Sequence, residues 1–312
     1  MNTMSKKERM DAVFAGEEVD RPPFSLWYHF GLQHMPGEEH AKAQLDFYRA
    51  YNLDWLKVMS DYSYPFPEGV TDFTTSADLL KLDRFEIEHS PYGEQLKAIE
   101  LISQDLQGET ICLDTVFNPW NIIRRSLVKD AMGDYMRDEP QALHHALEVV
   151  TDNMIAYCQN IIERGADGLF ISVPASSEYV SYDEYKTFME PYDLKLFRSV
   201  KGFAPIVIAH IHGNDLYFKD VLAYALDGIS WADRAAGPSL AEARQMYDGV
   251  LMGGIDHTNF SYTRLSTLQG QVRDALHVGG NRKFILAPGC SVQTYAFPEI
   301  IRGVCHAAGI HA

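Results

Sequence analysis

The sequence predicts an α/β protein built as a (β/α)8 TIM barrel, a single domain over residues 1–312. Three observations lead there. Eight short apolar, β-branched runs are spread along the whole chain; stretches with helical spacing lie between them; and no Gly/Ser/Pro linker or break in composition divides the chain. Strand–helix alternation implies parallel strands, and eight such units can close into a barrel. An open doubly wound sheet with an added lobe is the alternative, but no glycine-rich phosphate-binding fingerprint follows the first run.

In chain order the predicted strands are PPFSLW (22–27), WLKVM (55–59), TICLDTV (110–116), GLFISV (168–173), PIVIAHIH (205–212), GISW (228–231), VLMGGID (250–256) and FILAPG (284–289). Longer excursions occupy 60–109 and 117–167. The clearest helix runs over 140–164, where Leu143, Leu147, Val150, Met154, Cys158 and Ile161 recur every three or four residues and so share a buried face. Gly165 is placed to end it, and His144 and His145 are expected to face solvent. Ser181, ahead of acidic residues in SYDEYKTFMEPY, marks another helix start.

Composition limits the partners. Forty-three acidic against 27 basic residues give a net charge of −16, which argues against a nucleic-acid backbone or an anionic membrane as the main partner. No apolar run is long enough to span a bilayer, and the charged opening MNTMSKKERMDAVFAGEEVDRPP has no signal-peptide core. Four scattered cysteines do not form a disulfide framework in a chain of this length, so the cytoplasm is the expected compartment.

Barrel enzymes carry their chemistry at the C-terminal ends of the strands. Those ends hold Asp61 and Tyr62, Asn118 and Trp120, Ser176 and Glu178, His210 and His212, Asp233, Asp256 and His257, and Cys290. Trp27, His29, His34 and His40 lie in the aromatic segment after the first strand. In a strand, His210 and His212 point to one face, their Cα atoms roughly 6–7 Å apart, so both imidazoles can reach one metal ion. The plainer reading is two hydrogen-bonded polar residues at a strand end. Cys290, after a Pro288-Gly289 turn, faces the same mouth; its plainer reading is a small buried hydrophobe, as for Cys112, Cys158 and Cys305. Two imidazoles and a thiolate make a three-ligand zinc site with one open position, the catalytic pattern. Asp61 either reaches the pocket or caps its loop. Asp256 either orients a ligand from behind or begins the next helix.

The segments KKERMDAVFAGEEVDRPPF, LDWLKVMSDY, GADGLFIS, YKTFMEPYDLKLFRSVKG, VIAHIHGN, VLMGGID and APGCSV, in that order, resemble the uroporphyrinogen decarboxylase superfamily, which includes the corrinoid-dependent methyltransferases. The resemblance runs nearly end to end and implies a (β/α)8 barrel. It aligns Asp61 with the catalytic aspartate of the decarboxylases. Their loop after the first strand carries arginines that clamp a tetrapyrrole's carboxylates; here that loop reads WYHFGLQHMPG, without arginine, so a polyanion would be left unpaired. The methyltransferases bind zinc through H-x-C…C. His210 and Cys290 match the first and last ligands, and His212 stands where the pattern has cysteine. With one cysteinate the zinc keeps a positive charge that a second would cancel. It therefore lowers the pKa of a bound thiol or hydroxyl further and admits an oxygen ligand.

The resemblance thus implies a zinc-dependent methyltransferase that moves a methyl group between a small thiol or methoxylated compound and a corrinoid (cobalamin). The corrinoid would sit on a separate partner protein, since no D-x-H-x-x-G module is present. His210, His212 and Cys290 are the expected metal ligands and Asp61 the expected catalytic acid–base group. Tyr62, Trp27, His29, Asn118, Glu178 and Asp256 are the expected substrate-binding residues, and a homodimer is left open. A small-carboxylate decarboxylase using Asp61 and a non-catalytic ligand-binding barrel are the alternatives.

Overall fold

The computed structural model describes residues 3–310. A seven-stranded parallel sheet follows chain order: β1 (Leu56–Val58), β2 (Cys112–Phe117), β3 (Gly168–Val173), β4 (Ile206–Ile211), β5 (Gly228–Trp231), β6 (Val250–Ile255) and β7 (Phe284–Pro288). These are the second to eighth predicted strands. The predicted first strand, 22–27, is reduced to one parallel bridge between Phe24 and Leu286. Leu286 N donates to Pro23 O (2.9 Å), Ser25 N to Leu286 O (3.4 Å) and Asp54 N to Phe24 O (3.0 Å). The segment therefore fills the eighth position, between β7 and the residues leading into β1. Pro22 and Pro23 carry no N–H, which is why no longer ladder forms there.

Strand alternation sorts the side chains. Trp55 and Met59, Leu113, Phe170, Ile208, Val250 and Met252, and Ile285 and Ala287 pack together inside the barrel with Trp27. The residues between them along the strands, such as Leu169, Ile171, Val207, Ala209 and Leu286, pack outward against the helices. By the same parity Lys57 and Thr115 sit on the inner face, as does His210, and that places them for chemistry.

The helix predicted at 140–164 spans Pro140–Glu163, with proline in its first turn and all six residues of the predicted stripe buried. Gly165 follows at φ +99°, in the left-handed region. Ser181 caps Tyr182–Glu184 as expected, accepting from Glu184 N. His145 is exposed, whereas His144 is half-buried beneath Phe188, with Nδ1 2.7 Å from the Tyr192 hydroxyl. Among the described residues no helix is long and apolar enough to cross a membrane.

Candidate metal centre and cavity

β4 delivers His210 to the barrel interior, and His212 follows one residue past its end. The His212 amide still donates to Val173 O (3.0 Å), so the ladder holds its backbone although the strand has ended. The chain then turns at Gly213, φ +115°, where an added Cβ would lie 2.7 Å from the Ser176 side chain. Cys290 arrives from the other side, two residues after β7. Gly289 permits this by passing close over Ala232: a Cβ there would sit 2.6 Å from the Ala232 Cα.

One ligand atom from each of His210, His212 and Cys290 lies within 4.8 Å of the others. Cys290 Sγ is 3.7 Å from His212 Nδ1. His210 Nδ1 is 3.2 Å from Ser230 Oγ, while its Nε2 is buried without a partner. Phe170 stacks on His210 and Tyr179 on His212. Burial alone would raise the Cys290 thiol, but His210 and His212 outweigh it and hold the thiol well below its usual pKa. Burial lowers His210, whereas the hydrogen bond to Cys290 raises His212. An orphaned ring nitrogen, a second imidazole and a thiol driven toward thiolate form a donor set that fits zinc.

Beside this cluster lies a cavity of about 250 Å³, lined also by Trp27, His29, Lys57, Phe117, Arg124 and Arg125. The arginines come from a π-helical turn, Ile123–Val128, after the short helix Pro119–Ile122. Arg124 lies over the Tyr179 ring and Arg125 over the Phe117 ring. Neither these two nor Lys57 forms an ion pair among the described residues. The expectation of a pocket without cations is thereby corrected. The loop after the first segment lacks arginine, but the cationic wall is built from the 117–167 excursion and β1.

The remaining sequence candidates divide. Trp27 and His29 line the cavity. Asp61 and Tyr62 line an adjoining hollow of about 120 Å³ that shares Phe117, Asn121 and Arg125 with it. Asp61 Oδ1 is 2.5 Å from His29 Nδ1, and Oδ2 is buried without a partner. Burial favours the protonated acid, but His29 outweighs it and holds Asp61 below its ordinary pKa. The Tyr62 hydroxyl donates to Met35 O (2.9 Å).

The other three do not reach the cavity. Asn118 is buried, accepts from Asn121 N (3.0 Å) and donates to Asp193 Oδ1 (2.9 Å), and so caps the helix that follows. Glu178 accepts from the Asn214 backbone and side-chain amides, both at 2.9 Å, and so braces the turn that carries His212. Asp256 accepts from Thr258 N (2.9 Å) and Oγ1 (2.6 Å) and caps its own loop.

Sequence reasoning missed Lys57, Arg124, Arg125 and Ser230. For Lys57 a signal existed: a lysine flanked at two-residue spacing by Trp55 and Met59 must share their inner face. Nothing comparable marks NIIRRS, whose arginines read as an ordinary helix surface.

The family model described as "Uroporphyrinogen decarboxylase (URO-D)" matches residues 5–309. The chain is similar to the methylcobamide:CoM methyltransferase MtbA of Methanosarcina acetivorans, at 22% identity over 69% of this chain and 62% of that protein. It is also similar to MtbA of Methanosarcina mazei, at 25% identity over 44% of this chain and 40% of the relative. A uroporphyrinogen decarboxylase of Hydrogenovibrio crunogenus is 26% identical over 68% of this chain and 53% of the relative. The match covers less than two thirds of each of these relatives. Among solved structures, a methyltransferase from Methanosarcina mazei superimposes with a TM-score of 0.78 at 18% identity, over 98% of each chain, and shares the fold.

Proposed function

The chain belongs to the uroporphyrinogen decarboxylase (URO-D) family, and from that premise we propose that it is a zinc-dependent methyltransferase. It would move a methyl group between a small thiol or methoxylated compound and a corrinoid carried on a partner protein. The observation that carries this reading is the convergence of His210, His212 and Cys290, with their ligand atoms within 4.8 Å of one another at the mouth of a cavity. Relatives named as methylcobamide:CoM methyltransferases support it.

Zinc bound there supplies Lewis acidity, lowering the pKa of a thiol or hydroxyl at its open position. The chain's own residues do the rest. With Nε2 given to the metal, His210 Nδ1 would carry the ring proton and donate it to Ser230 Oγ, 3.2 Å away, which orients the imidazole. Asp61 holds His29 through Nδ1 and leaves its other ring nitrogen to exchange a proton with a molecule in the cavity. Asp61 thus acts through His29, as a positioning residue. Trp27 and Phe117 exclude water from the cavity wall. On this reading Ser230→Ala weakens zinc binding by roughly 10–100-fold, the usual cost of losing a group that orients a ligand. Competition against a chelator measures it, and an unchanged affinity would remove Ser230 from the site.

One observation favours a second reading, decarboxylation of a small carboxylate: Asp61 lines a hollow shared with Arg125, and decarboxylases are among the relatives. One experiment separates them. Purified protein is mixed with methylcobalamin or cob(I)alamin and a panel of thiols and methoxylated compounds, and the cobalt absorbance is followed. Zinc-dependent turnover with a panel member is the expected result. Decarboxylation of uroporphyrinogen or a smaller carboxylate by the metal-free protein would overturn the methyltransferase.

A further inference from the structure

We propose that Lys57 is a reactive amine that condenses with a small carbonyl compound bearing an acid group, an activity separate from methyl transfer and needing no metal. Lys57 is the middle residue of β1, only 4% exposed, and it lines the cavity. It donates to Thr115 Oγ1 (2.7 Å) and Met59 Sδ (2.9 Å) and lies 4.6 Å and 5.1 Å from the Phe170 and Trp27 ring centres. A buried lysine kept for stability is ordinarily paired with a carboxylate. This one is not. The nearby Asp114, on β2, is taken by the Gln95 amide (2.6 Å) and the Tyr157 hydroxyl (3.2 Å).

Burial favours the neutral amine at Nζ and outweighs the opposing charges of Cys290, Asp114 and Asp61. Its partners are a hydroxyl oxygen, a thioether and two aromatic faces, with no carboxylate in hydrogen-bond contact, and Arg124 and Arg125 line the same cavity. Burial brings the lysine down to about 7, so a large fraction is unprotonated at neutral pH. A lysine desolvated in a largely apolar pocket is a setting in which the amine becomes a nucleophile toward carbonyl carbon. Arg124 and Arg125, unpaired on the same wall, are suited to hold a carboxylate through their guanidinium forks. The cavity, about 250 Å³, suits a small molecule.

In the step, the Nζ lone pair forms a C–N bond with the carbonyl carbon as the C–O π bond breaks. The carbonyl oxygen then leaves as water with both amine hydrogens, giving an imine. No oxidant or reductant is required.

The test treats the protein as purified, without corrinoid, with pyruvate and sodium cyanoborohydride, which reduces any imine to a stable amine; peptide mass mapping locates the adduct. The expected result is about one adduct per chain at Lys57, formed at least tenfold faster than at the exposed Lys129 and Lys219. Arg125→Gln should slow labelling by pyruvate while leaving labelling by uncharged acetaldehyde unchanged. Lys57→Arg, shown folded by circular dichroism, should abolish the adduct at that position. Labelling of Lys57 no faster than of the exposed lysines would overturn the proposal. Equal slowing of pyruvate and acetaldehyde by Arg125→Gln would overturn its acid-group part.

Discussion

Protein carrying Cys290→Ser together with His210→Ala is expected to lose its zinc, falling from about one metal per chain to background by elemental analysis. The cluster comprises three donors, and among the described residues no further carboxylate, cysteine or histidine joins it. Removing two of them leaves the His212 imidazole, too little to retain a divalent ion against buffer. The thiolate matters most, because it supplies the only negative charge in the set. Cys290→Ser alone should therefore weaken binding more than Ser230→Ala does. Neither change breaks a backbone element: residue 210 stays in β4, and Cys290 lies in a loop after β7. Circular dichroism should stay native, and methyl transfer should vanish with the metal. Unchanged zinc stoichiometry in the double variant would refute the site.

Asp54→Ala is expected to destabilise the fold by ~3–5 kcal/mol, the cost of removing one partner from a buried ionic network. Its carboxylate accepts from Arg9 Nη1 (2.8 Å), Arg21 Nη1 (2.6 Å) and Nη2 (2.9 Å), and the Phe24 amide (2.8 Å). One side chain thus joins the first helix, the segment in the eighth barrel position and the entry to β1. Without it Arg9, itself buried, keeps only Asp20 and the Met4 carbonyl. The exposed Lys42–Asp46 pair is the control, since breaking it should cost at most ~0.5 kcal/mol. Urea unfolding monitored by tryptophan fluorescence measures both. A loss below ~1 kcal/mol at Asp54 would show that water replaces the carboxylate at little cost.

Much of the architecture was legible because strand parity is a short-range rule. His210 had to share a face with Ile208, and the six-residue stripe in Pro140–Glu163 had to be buried, whatever the rest of the chain did. The convergence of His210, His212 and Cys290 could be anticipated because strand ends in a barrel share one rim. What failed depended on where polar side chains turn after a strand. Asn118 and Asp256 spend their oxygens on local backbone, the ordinary habit of short polar residues at chain reversals, and Glu178 spends its own on Asn214 across the rim. Arg124 and Arg125 reach the cavity through a π-helical turn, a distortion that shifts side-chain direction and has no pattern in composition. The first strand failed on proline: the apolar run was correctly placed, but its donors were missing.

Those prolines also bear on how the chain survives its own synthesis. Phe24 is synthesised before its partner Leu286, with a delay on the order of tens of seconds at ~5–20 residues per second. Throughout that interval the barrel is an unfinished ribbon with two raw edges, and raw strand edges recruit whatever extended chain is nearby. Pro22 and Pro23 withhold two donors from the early edge, and a stray strand finds little to zip onto there. The native bridge is kept, because Leu286 needs only the Pro23 carbonyl and the Ser25 amide. The short, broken eighth position thus offers few donors to foreign strands until Leu286 arrives.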